Sequence, residues 1–157
     1  MLDDPTIHKA VQFAVATEDM GERTYSALAK KFLDDIALCA TFSRLAEDEK
    51  RHRANFQALL DKLPADDDVW TDDERYRYLS AMSRSAFFAD EEGLTAALNN
   101  IRSVDDALAH ALEFEKATLG YYVALQDVLG QQEPLSTIIE AEKRHVIAPM
   151  KAIAARQ

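Results

Sequence analysis

An all-α four-helix bundle is the fold class this sequence predicts, with two antiparallel helix hairpins joined by a long, partly helical crossover. Three observations carry the prediction. Hydrophobic residues make up 48% of 157 residues while Gly and Pro number four each, so the long segments are rich in alanine, leucine and glutamate, which favour helix over sheet. Four of those segments space their apolar residues at three and four, the stripe of an amphipathic helix rather than the alternation of a strand. Lastly, the pattern Glu-x-Glu-Lys-Arg-His occurs twice, as Glu47 to His52 and Glu140 to His145, with five of six positions identical. The chain therefore reads as two similar halves of a single domain, residues 1–157, long enough to bury a substantial core.

The first helix begins at Thr6, a good N-cap, and carries Val11, Ala14, Val15, Glu18, Tyr25, Leu28 and Phe32 on one stripe. The second runs from about Ile36 to Leu63 with Phe42, Leu45, Glu49, His52, Phe56, Leu59 and Leu63 at bundle-core spacing. The third follows Ser103, an N-cap with Asp106 three residues on, and carries Leu108, Leu112, Glu115, Leu119, Tyr122 and Leu129. The fourth opens near Pro134, suited to a first turn, and carries Leu135, Ile138, Glu142, His145 and Ile153. These give hairpins over 6–63 and 103–155, with a crossover over 64–102. A structureless connection of that length is uncommon, so a helix is expected from roughly Asp72 to Phe88 and a second short one after Asp90. The acidic run Asp66 to Asp68, next to Trp70, reads as a solvated turn.

Residue spacing supplies a check on the hairpins. Groups at one height in an antiparallel pair lie equally far from the turn. Glu18 and Glu49 have their midpoint at 33.5, on the break Leu33-Asp34-Asp35, and Glu115 and Glu142 have theirs at 128.5, beside Leu129-Gly130. Each glutamate pair is thus expected level across its hairpin, about 20 Å from the turn at ~1.5 Å per residue.

Composition narrows the function classes. A net charge of −10 argues against nucleic acid as a partner. The single cysteine, Cys39, excludes an internal disulfide or a Cys-x-x-Cys centre and reads as a small buried hydrophobe. No apolar run approaches the ~20 residues that cross a bilayer. The N-terminal Met-Leu-Asp-Asp-Pro lacks a signal-peptide pattern, and a cytoplasmic location is expected.

The repeated motif separates into two faces. Glu49 and His52, like Glu142 and His145, stand three apart, on one helix face one turn from each other. Glu47 and Glu140 precede the inward glutamates by two residues, about 200° round the helix, and point outward, where Glu47–Arg51 and Glu140–Arg144 are expected as i,i+4 surface pairs. Four inward carboxylates at one level repel in a low-dielectric core, and two divalent cations remove that repulsion. One Glu from each of two helices with Glu-x-x-His from each of the others is a known di-iron pattern of bundles.

On these residues the chain resembles the rubrerythrin and ferritin-like di-iron carboxylate superfamily, specifically a stand-alone rubrerythrin-type domain. The likeness spans both hairpins, with Glu-x-x-His twice and Glu-x6-Tyr before each. It implies a ferritin-like bundle whose metal ligands are Glu18, Glu49, His52, Glu115, Glu142 and His145, with Glu49 and Glu142 bridging or chelating. Tyr25 and Tyr122 would hydrogen-bond ligand carboxylates across the bundle. The implied cofactor is two iron ions, with manganese or zinc as substitutes. The implied activity is reduction of peroxide or dioxygen by a non-haem di-iron oxidoreductase, assembled as a homodimer and supplied with electrons by an external donor such as a rubredoxin-type protein. One cysteine cannot build the four-cysteine rubredoxin domain of full-length rubrerythrins. Where those proteins place an extra glutamate after the third-helix ligand, this chain has Thr118 and Leu119.

Alternatives to the oxidoreductase are iron oxidation for storage or transfer, and a structural bundle with a vestigial site. Glu22, one turn after Glu18, is either an auxiliary ligand or a helix-surface glutamate, and His8 and His110 read as surface residues. Pro149, four residues after His145, is expected to kink the fourth helix.

Overall fold

The computed structural model describes residues 6–64, 74–85, 87–88 and 90–157, and among these it contains six helices and no strand. In chain order they are α1 (Ile7–Lys31), α2 (Ile36–Leu60), α3 (Glu74–Met82), α4 (Glu91–Asn100), α5 (Val104–Leu129) and α6 (Leu135–Ala155). The starts of α1, α2, α4 and α5 follow from side chains that take up otherwise unpaired first-turn amides. Thr6 accepts from the Lys9 amide at 3.1 Å, Asp35 from Leu38 at 3.0 Å and Asp90 from Gly93 at 2.9 Å. Ser103 and Asp106 form a reciprocal capping box on α5. That helix stops at Gly130, whose φ of 79° lies where L side chains are disfavoured.

The crossover departs in part from expectation. In place of a helix from Asp72 to Phe88, the described residues form α3 and then a turn. There Ser83 donates to the Ser80 carbonyl at 2.7 Å, the kind of local side-chain bond that competes with helix continuation. The second short helix is present as α4. Asp66 to Asp68 and Trp70 lie outside the described residues. Helix α2 ends at Leu60 rather than Leu63, although Leu59, Leu60 and Leu63 still pack on the core. Helix α6 continues through Pro149, which is buried and has no N–H to offer the His145 carbonyl.

Two apolar clusters give the topology. One gathers Val11 and Ala14 of α1, Phe56 of α2, Tyr122 and Leu125 of α5 and Ile138 of α6. The other gathers Tyr25 and Leu28 of α1, Phe42 and Leu45 of α2, and Leu108 and Ala111 of α5, with Ile153 of α6 packed against it. So α1 and α6 run from the first cluster to the second, while α2 and α5 run the opposite way. The crossover must therefore travel the length of the bundle, and it does: Leu79 of α3 belongs to the first cluster, and Leu98 of α4 packs on the second.

The first turn falls where the spacing puts it, because residues 32–35 between α1 and α2 are centred on 33.5. The second is offset. Its loop is 130–134, so Glu115 stands fourteen residues before the end of α5 but Glu142 only seven after the start of α6. Helix α5 overshoots, and the loop runs back along it before α6 begins. On all four long helices the Glu and His positions fall between the two apolar clusters.

Candidate metal centre

Four helix stripes deliver six ionisable side chains to the space between the apolar clusters. Glu18 and Glu49 are 1% exposed, Glu115 and Glu142 0%, His52 7% and His145 5%. Carboxylates this deep normally require a paired charge or an ion.

Their arrangement is two overlapping sets. Nδ1 of His52 lies 2.8 Å from Glu142 Oε1, 3.2 Å from Glu49 Oε2 and 3.6 Å from Glu18 Oε2. Nδ1 of His145 lies 3.5 Å from Glu142 Oε1, 3.8 Å from Glu49 Oε1 and 3.8 Å from Glu115 Oε2. Glu49 and Glu142 thus reach both imidazoles, whereas Glu18 serves only His52 and Glu115 only His145. Donor atoms of Glu49, His52, Glu142 and His145 all lie within 4.8 Å of one another. The two rings stack at 5.3 Å between centroids.

Tyrosines complete the pattern across the bundle. The Tyr25 hydroxyl donates to Glu115 Oε1 and the Tyr122 hydroxyl to Glu18 Oε1, so each phenol fixes the terminal carboxylate of the opposite hairpin. After these bonds, Glu18 Oε2, Glu115 Oε2, both oxygens of Glu49 and Glu142, and Nδ1 of both histidines remain buried without a hydrogen-bond partner. The close His52–Glu142 approach lacks hydrogen-bond alignment. Eight converging lone-pair donors, with no proton donor aligned to them, form a set that two cations would satisfy.

Electrostatics describe the same strain in the metal-free cluster. Burial, and next the charge of Glu142, push Glu49 and Glu115 well above the usual carboxylate range. Burial also raises Glu18, against a lowering contact with His52. Glu142 goes the other way: burial opposes its charge, but His145 and His52 outweigh it and hold the carboxyl at about 2. Burial likewise works against a charged His52, yet Glu142 and Glu18 hold that ring up to about 9. Burial first, and the neighbouring carboxylates second, keep Tyr25 and Tyr122 protonated and able to donate.

The outlying residues have neighbours of their own. Glu22 pairs with Arg53 at 2.8 Å instead of joining the cluster. The outward glutamates pair one turn away with lysine, Glu47 with Lys50 and Glu140 with Lys143, and Arg51 instead pairs with Asp48. Residues three and four apart are both neighbours on a helix face, and here the i,i+3 partner is the one engaged in each case. His110 is no surface residue. It is half-buried, its ring lies 5.4 Å from Phe87, and burial lowers its pKa. His8 is likewise half-buried, and so is Cys39 rather than fully inside.

Sequence reasoning passed over two residues, Asp48 and Gly21. Asp48 Oδ2 accepts from His145 Nε2 at 3.2 Å, orienting that ring from the far side. Its signal was in plain view, because Asp48 and Ala141 are the one mismatch between the repeated hexapeptides. Gly21, one turn after Glu18, gives Glu49 its room: a Cβ there would lie 3.1 Å from Glu49 Cγ and 3.2 Å from its Oε1. A lone glycine inside a helix pattern is the available clue. Thr118, one turn after Glu115, is buried with its hydroxyl unpaired.

A family model described as Rubrerythrin matches residues 9–152, which takes in all four long helices nearly end to end and every residue of the cluster. Searches of curated proteins and of solved structures return no match. The chain belongs to the rubrerythrin family.

Proposed function

We propose that this rubrerythrin-family chain holds two iron ions in the bundle core and is a non-haem oxidoreductase that reduces peroxide or dioxygen, with electrons from a separate donor of the rubredoxin kind. The observation that carries the reading is the set of eight buried donor atoms left unpaired once both tyrosines have made their bonds. Glu18 and His52 would hold one ion and Glu115 and His145 the other, with Glu49 and Glu142 reaching both. A ferrous pair, when bound, supplies two electrons for cleavage of an O–O bond.

The protein's own part is positional. Tyr25 and Tyr122 keep one oxygen of each terminal carboxylate occupied, so only the other is offered inward. Asp48 holds His145 with Nδ1 facing the carboxylates. Apolar clusters above and below exclude bulk water, which strengthens every charge interaction between them. A cavity of about 250 Å³ between α2 and α6 is lined by both histidines.

Anaerobic ferrous titration followed by peroxide or dioxygen tests the reading. The expected result is two irons per chain, rapid oxidation that fails in Glu142→Ala, and sustained turnover when a reductant is added. Stoichiometric oxidation without turnover would replace the oxidoreductase with iron handling, and absence of metal uptake would end both.

A further inference from the structure

The two hairpins match at five of the six positions that end in each histidine, so each bond in one half names the bond expected in the other. In the first half Asp48 joins two partners, accepting from His145 Nε2 through Oδ2 and pairing with Arg51 through Oδ1. The positions related by the repeat are Ala141 for Asp48, Arg144 for Arg51 and His52 for His145. Ala141 has no carboxylate. His52 turns Nδ1 to the glutamates; among the described residues no group is bonded to its Nε2 and Arg144 makes no ion pair.

These two unmatched halves of a carboxylate bridge line the same space. The cavity of about 250 Å³ is bounded by Ala141, His52 and Arg144, with Arg44, Arg51 and Asp48 around them. Arg44 also makes no ion pair among the described residues, and Asp48 is already engaged by Arg51 and His145. Three guanidiniums round one cavity are notable in a chain of net charge −10.

We infer that this cavity binds a small oxyanion of the carboxylate type, which accepts from His52 Nε2 and pairs with Arg144 and Arg44, taking the part that Asp48 plays for His145. Planar guanidinium forks suit a two-oxygen anion, and a space this small excludes a bulky ligand. Such an anion fixes the orientation of His52 and raises its strength as a ligand, so in the reading proposed above it modulates one half of the metal pair and leaves the other to Asp48. That consequence rests on the metal reading; the anion site itself does not.

Calorimetric titration of the full chain with sodium acetate, and separately with inorganic phosphate, decides the matter at low ionic strength. It is run on chelator-treated and on metal-loaded protein. The wild-type chain is expected to bind one anion. Ala141→Asp, which supplies the carboxylate covalently, should weaken that binding at least tenfold. Arg144→Gln, an exposed change that leaves the core untouched, should weaken it about tenfold. Absence of binding by the wild-type chain, or unchanged affinity in Arg144→Gln, overturns the inference whether or not Ala141→Asp folds. Metal uptake without anion binding removes this inference alone, while anion binding without metal uptake removes the di-iron reading alone.

Discussion

Replacing Gly21 with alanine sets helix propensity against the metal cluster. In an ordinary helix interior the change stabilises by roughly 1 kcal/mol, because glycine loses the most backbone freedom on folding. Here the new Cβ would meet Glu49 Cγ at 3.1 Å, Glu49 Oε1 at 3.2 Å and Phe114 Cε1 at 3.2 Å. Each contact is a few tenths of an ångström inside the ~3.5 Å at which such pairs rest. Phe114 is wedged in the second apolar cluster and cannot retreat, so the Glu49 carboxylate is the group that yields. Overpacking of this kind costs about 1–3 kcal/mol, which leaves the metal-free bundle roughly 0–2 kcal/mol less stable after the propensity gain. The larger effect falls on metal binding. Glu49 faces both imidazoles, and displacing it should lower affinity about 10–100-fold, the range for disturbing a ligand's support. Denaturant melts of chelator-treated protein and ferrous titration against a competing chelator give the two numbers. A Gly21→Ala protein that gains about 1 kcal/mol and still binds two ions as tightly as wild type would refute the reasoning, since the glycine would then be serving neither carboxylate nor site.

The other predictions concern the charge cluster. Above about pH 6, metal-free protein should lose stability as pH rises. His52 and the raised glutamates bind protons more tightly folded than unfolded, so their contribution is full below their unfolded pKa values and is lost on the way up; for His52 the window is 6.5 to about 9, worth roughly 3 kcal/mol at most. Thermal melts with chelator at pH 6 and pH 9 measure it, and a flat profile contradicts the charges assigned. Adding metal at a hundred times its Kd should raise stability by about 2.7 kcal/mol per site, an upward Tm shift on the order of 5–10 °C for a chain of this size, and chelator should reverse it. Glu49→Gln replaces a buried carboxyl that resists ionisation with a neutral group of the same shape, so it should hold or improve the stability of the metal-free bundle and abolish tight uptake of the second ion; calorimetry on both forms checks the pair of outcomes. Tyr25→Phe and Tyr122→Phe should each weaken metal binding about 10–100-fold, the first through Glu115 and the second through Glu18, and wild-type affinity in either would show that the phenol bonds do not position their carboxylates.

Much of this was readable because the relevant patterns are local. Thr6, Asp35 and Ser103 cap helices by bonds to amides three residues on, and Glu49 with His52 share a face for the same reason. The repeat then placed an equivalent group in each half. Properties that depend on partners far along the chain were less visible. Arg51 was paired with Glu47 by spacing, but it turns to Asp48, which itself reaches across to His145, 97 residues away. His110 looked like an exposed helix residue because nothing local reveals that Phe87 of the crossover covers it.

The helical class, the two hairpins and the identity of the inward glutamates, histidines and tyrosines are legible in the amino-acid order alone, since all of these rest on periodicity of 3.6 residues and on a repeat that can be read off a line of letters. It takes the packed bundle to show which carboxylate faces which imidazole, that Glu49 and Glu142 reach both rings while Glu18 and Glu115 each serve one, and that Asp48 bonds His145. Those distinctions arise where four helices meet, and a helix stripe fixes which way a side chain points without fixing what stands opposite it.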